Sequence, residues 1–491
     1  MAGDELGVTT HGGITPRGLD SVPKSALFEG RFGRIFRTLP VPAHDDGALR
    51  RLGDALPEET GVGATADNPA IPSAYTYFGQ FVDHDITFDP VSQLQRVNDP
   101  DALVDFRTPR FDLDSVYGAG PTASPFLYES RDATFRGVKL LVGRNPATDP
   151  LQGGDPLDPQ DLPRNEQGRA LIGDPRNDEN IVVSQLQLAF LKLHDRAADR
   201  VRSATRLGGA ALFDETRRLV TWHYQWVVVH DFLTRIVGAP LVRDVLTNGR
   251  RFFSWENTPF MPVEFSAAAY RFGHSMVRPG YDLNETVTGV PIFSGRDRPG
   301  TFESLHGFRR LPSLWTIDWS HFAPLTRRRP QPSRKINIRL APPLMRLPIS
   351  VDAQRNPLAV LNLLRGRALQ LPSGQAVAGA MQSVTRIPPL STAHLALGRL
   401  RLPAAARRAF EAETPLWFYV LREAEVHGRS AQLGPVGGRI VAEVLIGLLE
   451  ADPGGFLKQE PGWRPGRGAV ALPSARRGDF TLADLLRFAT T

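Results

Sequence analysis

Apolar residues recur at helical spacing through several long stretches of the chain. Between Ile181 and Val201 the apolar positions fall on one helix face, at Val182, Leu186, Ala189, Phe190, Leu193 and Ala197. Similar patterns predict a helix that begins near Ser73 and helices at 216–237, 266–276, 357–368, 404–423 and 438–451. The alternation typical of strands is sparse, and 336–341 is a single short candidate. The pattern predicts a mainly α fold with very little β.

The helical stretches are separated by long segments without periodicity. Residues 1–70 form an arm rich in Gly, Pro and Asp, and residues 89–175 form a long loop region. Loops of that length in a compact protein are usually functional or stabilised by a metal. There is no internal repeat and no linker between two cores. We predict one large helical domain at 71–455, with an irregular N-terminal arm at 1–70 and a C-terminal extension at 456–491.

Composition excludes several classes of protein. The 491 residues include no Cys, which excludes disulfides, thiolate zinc sites, iron–sulfur clusters and a thiolate-ligated haem. The net charge is only +6, and no dense basic block with aromatic residues suggests a nucleic-acid partner. No apolar run approaches the roughly 20 residues of a membrane span, and no signal peptide is recognisable. We expect a soluble protein of unknown location and unknown oligomeric state.

Four histidines precede an aspartate, in pairs that begin at 44, 84, 194 and 230. We interpret His44, His194 and His230 as structural. His84 differs, because in the segment YFGQFVDHD Gln80 lies four residues earlier, on the same helix face. Asp83 and Asp85 flank the histidine and point elsewhere. One helical turn can therefore present a base to a pocket and an acid to a separate metal.

A second polar cluster lies in the segment TPRFDLD, residues 108–114. Thr108, Asp112 and Asp114 place side-chain oxygens at alternate positions. Such a loop suits Ca²⁺, which takes six to eight oxygen ligands. A loop of this kind is also a common turn, and the calcium interpretation gains weight if Asp85 completes the site.

A third cluster, the segment RNDE at 176–179, precedes the long helix. Asp178 or Asn180 can cap that helix, and Glu179 is favourable in its first turn. Arg176 is unfavourable near a helix N-terminus. We therefore expect it to face a pocket.

Two more segments carry polar residues among apolar ones. In YRFGHS, residues 270–275, a glycine precedes His274 and lets a large group approach the backbone. A core histidine is the ordinary alternative there. In LNLLRGR, residues 361–367, Asn362 sits among apolar residues, and its amide needs partners if it is buried.

Taken together and in this order, the five clusters resemble the animal-type haem peroxidase family of the peroxidase–cyclooxygenase superfamily. The likeness spans roughly residues 70–450. Within that family the chain resembles a bacterial member, because disulfides and a recognisable signal peptide are absent. The resemblance implies haem b, Ca²⁺ and a helical haem peroxidase domain. It also implies reduction of H2O2 through a ferryl intermediate and oxidation of small organic donors, with oxidation of halides or thiocyanate left open.

The resemblance assigns a role to each matching residue. The distal histidine, glutamine and arginine of the catalytic site match His84, Gln80 and Arg176. The haem-binding set comprises the proximal iron ligand His274, its partner Asn362, the potential ester-forming acids Asp83 and Glu179, and Arg271. The calcium ligands match the side chains of Asp85, Thr108, Asp112 and Asp114 and the carbonyl of Arg110.

Two departures refine what the resemblance implies. Family members with a sulfonium link to haem carry Met after the linking Glu, whereas Asn180 follows Glu179 here, so we predict no such link. Whether the ester links form is left open. The fatty-acid oxygenases of the superfamily place a radical-forming Tyr three residues before the proximal histidine, where this chain has Arg271. On a helix, Tyr270 is expected to point away from that position, which favours a peroxidase.

Three alternatives remain beside the peroxidase. The first is a fatty-acid dioxygenase or diol synthase of the same superfamily, which needs a hydrophobic channel. The second is a metal-dependent phosphohydrolase built on the His-Asp pairs, which leaves Arg176 and Asn362 unexplained. The third is a haem-binding protein without enzymatic activity.

Overall fold

The computed structural model describes residues 30–58, 63–88, 104–144, 160–293, 302–347, 357–468 and 470–490. Helices account for about 51% of the structure, which confirms the predicted mainly α fold. The α-helices in the described part are α1 Asp46–Asp54, α2 Ala74–Ile86, α3 Asp114–Tyr117, α4 Gly120–Ala123, α5 Ile181–Thr205, α6 Gly209–Trp226, α7 Thr234–Val237, α8 Ala239–Asn248, α9 Val263–Ser266, α10 Leu358–Ala368, α11 Gly374–Thr385, α12 Thr392–Leu395, α13 Ala404–Ala412, α14 Leu416–Val426, α15 Pro435–Ala451, α16 Phe456–Gln459 and α17 Leu482–Thr490.

The β structure is limited to three small sheets. Their strands are β1 Gly30–Gly33, β2 Asp67–Pro72, β3 Val104–Asp105, β4 Met261–Pro262, β5 Gly280–Tyr281, β6 Val290–Pro291 and β7 Pro332–Arg334. In the first sheet, β1 pairs antiparallel with β3 and parallel with β4. The other two sheets are the antiparallel pairs β2–β7 and β5–β6. The predicted strand at 336–341 is wrong, because the strand comes earlier, at β7.

The long helices α2, α5 and α6 pack around a shared aromatic core. The ring of Phe81 on α2 stacks on Phe190 of α5, with centroids 4.5 Å apart. Tyr224 of α6 meets both rings edge to face. Such aromatic contacts stabilise by more than the area they bury. This packing fixes α2, which carries the predicted site residues Gln80, Asp83, His84 and Asp85.

The N-terminus of α5 lies where the sequence pattern places it. Asn180 is the N-cap, and its side chain accepts a hydrogen bond from the backbone nitrogen of Val183 (2.9 Å). The helix then continues to Thr205, four residues beyond the predicted end, and Arg206 follows in the left-handed region with φ 63°. The cap and the apolar periodicity together explain why this helix was predictable.

The predicted helix at 216–237 is part of a longer and less regular element. It consists of α6, the π-helix Val227–Leu233 and α7, and it ends at Gly238, whose φ is +86°. Short π-helical insertions often occur at functional sites. Here the insertion places Phe232 in the wall of a cavity, while its neighbour Asp231 bonds to α2.

Several predicted boundaries were wrong. The helix predicted at 266–276 is the 3₁₀-helix Ala269–Met276, preceded by α9. The helix predicted at 404–423 is split into α13 and α14 by a turn before Pro415, which cannot continue a helix from the preceding residue. The arm predicted to be irregular holds α1, whose N-cap is Asp45. Its first 29 residues lie outside the described part.

The C-terminal segment of the chain belongs to the same helical core. Helix α17 packs against α5 and therefore joins the C-terminal segment to the core. The domain limits at 70 and 455 remain predictions. Among the described residues, every helix is too short or too polar to cross a membrane.

Candidate active site

One cavity collects most of the residues that the sequence singled out. It has an empty volume of about 1360 Å³, including the part open to solvent, and its wall is largely apolar. Gln80 and Asp83 of α2 line it together with Glu179, Arg271 and His274. Residues separated by almost 200 positions in the sequence therefore meet at one site, which lies between α2, the start of α5 and the 3₁₀-helix Ala269–Met276.

Asn362 holds His274 from outside the cavity. The amide Nδ2 of Asn362 lies 2.9 Å from Nδ1 of His274, and Nη1 of Arg271 donates to Oδ1 of Asn362 (3.1 Å). Asn362 is fully buried, so its amide is satisfied as expected. Because Asn362 contacts Nδ1, Nε2 is the ring nitrogen that can bind an iron. Burial, with Arg271 adding to it, lowers the pKa of His274 to about 3.

The direction of this amide contact differs from the expected one. The resemblance implies that Asn362, as the partner of the iron ligand His274, accepts the N–H of that ring, whereas here Nδ2 faces the ring and donates to Nδ1. An iron bond through Nε2 requires the ring proton on Nδ1. Rotation of the amide by half a turn presents its oxygen to that proton and gives up the hydrogen bond from Arg271, because the NH2 group then faces the guanidinium.

His84 lies directly behind the cavity wall. Its Nδ1 is 2.8 Å from Oδ1 of Asn177, and Asn177 in turn donates through Nδ2 to Gln187 (2.8 Å). Its Nε2 is 3.8 Å from Oε1 of Glu179, which also accepts a hydrogen bond from Nε2 of Gln80. The ring is fully buried, and this burial, with Arg176 adding to it, lowers its pKa to about 3. His84 is therefore a neutral base with a fixed tautomer.

The wall of the cavity contains two acids, Asp83 and Glu179. Burial raises the pKa of Asp83 to about 6 and that of Glu179 to about 8. In both cases Arg176 opposes the shift without cancelling it. Glu179 is therefore largely protonated at neutral pH. Asp83 is largely ionised at the same pH, so one neutral and one charged carboxyl group face the cavity.

Arg176 is buried beneath α2 and does not line the cavity. Its guanidinium donates to the carboxylate of Asp174 and to the backbone oxygens of His84 and Thr87 (both 2.8 Å). It also lies over the ring of Phe88, 4.4 Å from the centroid. The expectation that it faces a pocket is therefore not met in this arrangement. The contact with the His84 carbonyl gives it a part in placing that residue.

The calcium candidates come together on the other side of α2. Carboxylate oxygens of Asp85, Asp112 and Asp114 lie within 4.8 Å of one another. Burial, together with Asp112 and Asp114, raises the pKa of Asp85 well above its usual range. Oγ1 of Thr108 is 3.4 Å from Asp114, and Nη1 of Arg107 is 3.1 Å from the same residue. Three mutually repelling acids supply the hard oxygen ligands that Ca²⁺ prefers.

The other His-Asp pairs form no metal cluster among the described residues. His194 is held between the hydroxyl of Tyr117 (3.1 Å) and the carbonyl of Val138 (2.8 Å). His230 stacks on Trp226, and His44 contacts the carbonyl of Glu413. The structural interpretation of these three histidines agrees with their contacts, and the phosphohydrolase alternative loses its basis.

Known proteins resemble the chain in both sequence and fold. The sequence profile described as animal haem peroxidase matches residues 91–373, which is more than half of the chain. The chain belongs to the animal haem peroxidase family. Among curated relatives, the peroxidase-like protein of Margaritifera margaritifera is 26% identical over 326 residues, which cover 54% of this chain and 40% of that protein. The chain spans less than half the length of the first curated relatives that it matches.

Two solved structures place this family member within a wider fold. Peroxidase A from Dictyostelium discoideum aligns with a TM-score of 0.57 and 15% identity, covering 94% of this chain and 92% of that one. The fatty acid alpha-dioxygenase of Oryza sativa aligns with a TM-score of 0.54 and 14% identity, covering 92% of this chain and 78% of that one. At this identity the likeness concerns the fold.

Asn177 and three tyrosines contribute to the site of this haem peroxidase family member in ways that the sequence did not indicate. Asn177 lies inside the RNDE segment but was not recognised as the partner of His84. Tyr270 was expected to point away from the position of Arg271. Both residues line the cavity, and the hydroxyl of Tyr270 donates to the carbonyl of Gly79 (3.1 Å). The segment is a 3₁₀-helix, in which adjacent residues are about 120° apart, so the two side chains still leave the helix in different directions. Tyr75 and Tyr77 also line the cavity.

Proposed function

We propose that the protein is a haem peroxidase that reduces H2O2 and oxidises small organic donors. The observation that carries this proposal is the meeting of His274, Asp83, Glu179 and Gln80 in one apolar cavity, with His84 directly behind its wall. Haem supplies an iron that changes oxidation state when it reacts with peroxide and then accepts electrons from donors. Oxidation of halides or thiocyanate near Gln80 is a further part of the proposal.

The cavity suits haem b in shape and in chemistry. A Cβ placed on Gly273 meets no atom within 4 Å, so the backbone beside His274 is open to a large flat group. The wall is largely apolar, as the faces of a porphyrin require, and Arg271 provides a cation for a propionate. In this assignment Nε2 of His274 binds the iron, and Asn362 holds the ring through Nδ1. Asp83 and Glu179 line the same cavity and are the acids that would form ester links to haem.

The proton transfers are assigned to His84. In its neutral ring, Nδ1–H donates to Oδ1 of Asn177, so Nε2 is the basic atom. Nε2 takes a proton from hydrogen peroxide and returns it to the oxygen that leaves as water, as general base and then general acid. Arg176 holds the backbone of His84 and thereby positions the ring.

Calcium is the second proposed cofactor. The carboxylates of Asp85, Asp112 and Asp114 already converge, and the proposal adds Thr108 and the carbonyl of Arg110 as ligands. A divalent cation removes the repulsion among the buried carboxylates. Because Asp85 follows His84 in α2, the ion fixes the turn that carries the proposed catalytic base.

A second candidate function is oxygenation of a fatty acid. Two observations favour it: Tyr270 lines the cavity, and the fold aligns with a fatty acid alpha-dioxygenase. Several curated relatives are named as peroxidases or peroxidase-like proteins, which supports the peroxidase as the main proposal. Incubation of the haem-loaded protein with an unsaturated fatty acid and O2 separates the two, because the peroxidase releases no oxygenated lipid at a comparable rate.

The cofactor assignment is tested with three variants expressed with a haem precursor. We expect His274→Ala to lose stable haem, and Gly273→Val to lose it because the new side chain fills the cavity beside His274. Gly379→Val is the matched control, since a Cβ there also meets no atom within 4 Å but lies on the exposed surface of α11. Normal haem content in both cavity variants would refute the proposed site.

A further inference from the structure

Three tyrosines line the cavity, and each holds its phenolic proton differently. Tyr270 donates to the backbone carbonyl of Gly79 (3.1 Å), and Tyr77 is hydrogen-bonded to the hydroxyl of Tyr281. Neither a carbonyl nor a phenol takes up a proton readily at neutral pH. Tyr75 instead donates to Oδ2 of Asp231, at a distance of 2.6 Å. Among the three, Tyr75 therefore has a partner that can accept its proton.

Asp231 is built into a charged chain that leads away from the cavity. Its Oδ1 accepts from Nε of Arg235 (2.7 Å), and its Oδ2 also accepts from the backbone nitrogen of Leu482 in α17 (2.9 Å). Asp231 itself is nearly buried, whereas the side chain of Arg235 is 32% exposed. The hydrogen bonds from Tyr75 through Asp231 to Arg235 therefore connect the cavity wall to solvent.

The surroundings of Tyr75 determine how its ring can be oxidised. The guanidinium of Arg235 lies over the ring, 4.5 Å from the centroid, and a cation there opposes a positive charge on the ring. Removal of an electron alone is therefore unfavourable. Removal of an electron together with the phenolic proton leaves a neutral ring and avoids that repulsion. The carboxylate 2.6 Å from the hydroxyl is placed to receive this proton.

We infer that Tyr75 is a redox-active residue. Once peroxide has oxidised the haem, Tyr75 gives one electron to the haem and passes its phenolic proton to Asp231. The inference rests on the proposed peroxidase function, which supplies the oxidant. The O–H bond of Tyr75 breaks, Asp231 becomes a neutral acid, and the haem is reduced by one electron. A donor molecule then returns the electron to Tyr75, and the proton moves back from Asp231. Until that donor reacts, one oxidising equivalent is stored on Tyr75 in the wall of the cavity.

The test is electron paramagnetic resonance of the haem-loaded full chain, frozen after one equivalent of H2O2 without donor. The same measurement on protein made with ring-deuterated tyrosine identifies the radical, because deuterium narrows the signal only if the radical is on a tyrosine. We expect Tyr75→Phe to lower the yield of that signal at least tenfold. Tyr77→Phe and Tyr270→Phe are the matched controls from the same cavity, and both should keep it. Asp231→Asn keeps an acceptor oxygen but takes no proton, and it should also lower the yield.

The outcomes separate this inference from the function on which it rests. If the haem absorption changes with peroxide but the tyrosyl signal is absent, survives in Tyr75→Phe or disappears in Tyr270→Phe, the inference is overturned and the peroxidase stands. If the haem absorption of the wild type does not respond to peroxide, both fall. The haem content of each variant shows that it has folded. If Tyr75→Phe does not fold, an undiminished tyrosyl signal in Asp231→Asn overturns the inference.

Discussion

Nδ2 of Asn362 lies 2.9 Å from Nδ1 of His274, and this contact joins helix α10 to the 3₁₀-helix Ala269–Met276. The same amide accepts from Arg271, so one side chain fixes two residues of the cavity wall. We predict that Asn362→Leu, similar in volume but unable to hydrogen-bond, lowers haem affinity about tenfold, as loss of such partners typically does. Asn362→Asp should keep haem but shift its reduction potential to more negative values, measured by spectroelectrochemistry. Unchanged affinity and potential in both variants would contradict this role.

The buried contacts of Arg176 should contribute to the stability of the fold. Its guanidinium pairs with the buried Asp174 and with two carbonyls at the end of α2. Removal of one partner leaves a buried charge poorly compensated, which typically costs about 3 kcal/mol. We predict that Arg176→Gln lowers the free energy of unfolding by about this amount in urea titrations. Arg200→Gln, on the exposed face of α5, is the control. A loss equal to that of the control would show that these contacts contribute little.

The proposed calcium site predicts that one substitution shifts the melting temperature in opposite directions with and without calcium. Without calcium, burial and, after it, repulsion between the neighbouring carboxylates raise the pKa of Asp85 and Asp112. Asp112→Asn relieves that repulsion, so the variant should melt above the wild type in a chelator and below it in calcium. Elemental analysis should find about one ion per chain in the wild type and almost none in the variant.

Asp214→Asn on the exposed surface of α6 controls for the loss of a charge. If Asp112→Asn changed the melting temperature in the same direction under both conditions, the loop would be a turn without a bound ion. Equal calcium content in the variant and the wild type would lead to the same conclusion.

Glu423 provides a pH dependence that is independent of the cofactors. Its carboxyl accepts from the backbone nitrogens of Val436 (2.9 Å) and Gly437 (3.2 Å) and so caps α15. Burial nevertheless raises its pKa to about 8. A raised pKa means that the folded state holds the proton more tightly, so this contribution to stability is complete below about pH 4.5 and is lost as the pH rises towards 8.

Glu423→Gln keeps the acceptor oxygen and removes the titration. We predict that the free energy of unfolding of the wild type falls relative to this variant by about 1 kcal/mol for each pH unit between 5 and 8. Urea titrations at several pH values measure it. Parallel curves for the two proteins would contradict the raised pKa.

Features with a local signal were predicted well from the sequence. The periodicity of α5 and the cap at Asn180 place that helix, and the apolar surroundings of Asn362 indicate its burial. The alternate oxygens of Thr108, Asp112 and Asp114 predict a cation site, and Asp85, which the resemblance assigned to the same site, lies beside Asp112 and Asp114. In each case the relevant residues lie within a few turns of one another, where spacing determines which side chains share a face.

Features that depend on distant pairing could not be predicted. Tyr75 and Asp231 are 156 residues apart, and their hydrogen bond depends on how α2 packs against the π-helix. That Tyr270 lines the cavity beside Arg271 depends on how the 3₁₀-helix Ala269–Met276 packs against α2, which the amino-acid pattern does not specify. The contacts of Arg176 depend on the tertiary position of Asp174 relative to α2, which spacing along the chain does not specify.

The central claim is tested most directly by the absorption spectrum of the protein expressed with a haem precursor. The spectrum is recorded before and after one equivalent of H2O2, and again after addition of a phenolic donor. The account predicts a Soret band that changes on addition of peroxide and returns to its starting form with the donor. A haem spectrum that does not respond to peroxide, or folded protein that binds no haem in the presence of calcium, would contradict it.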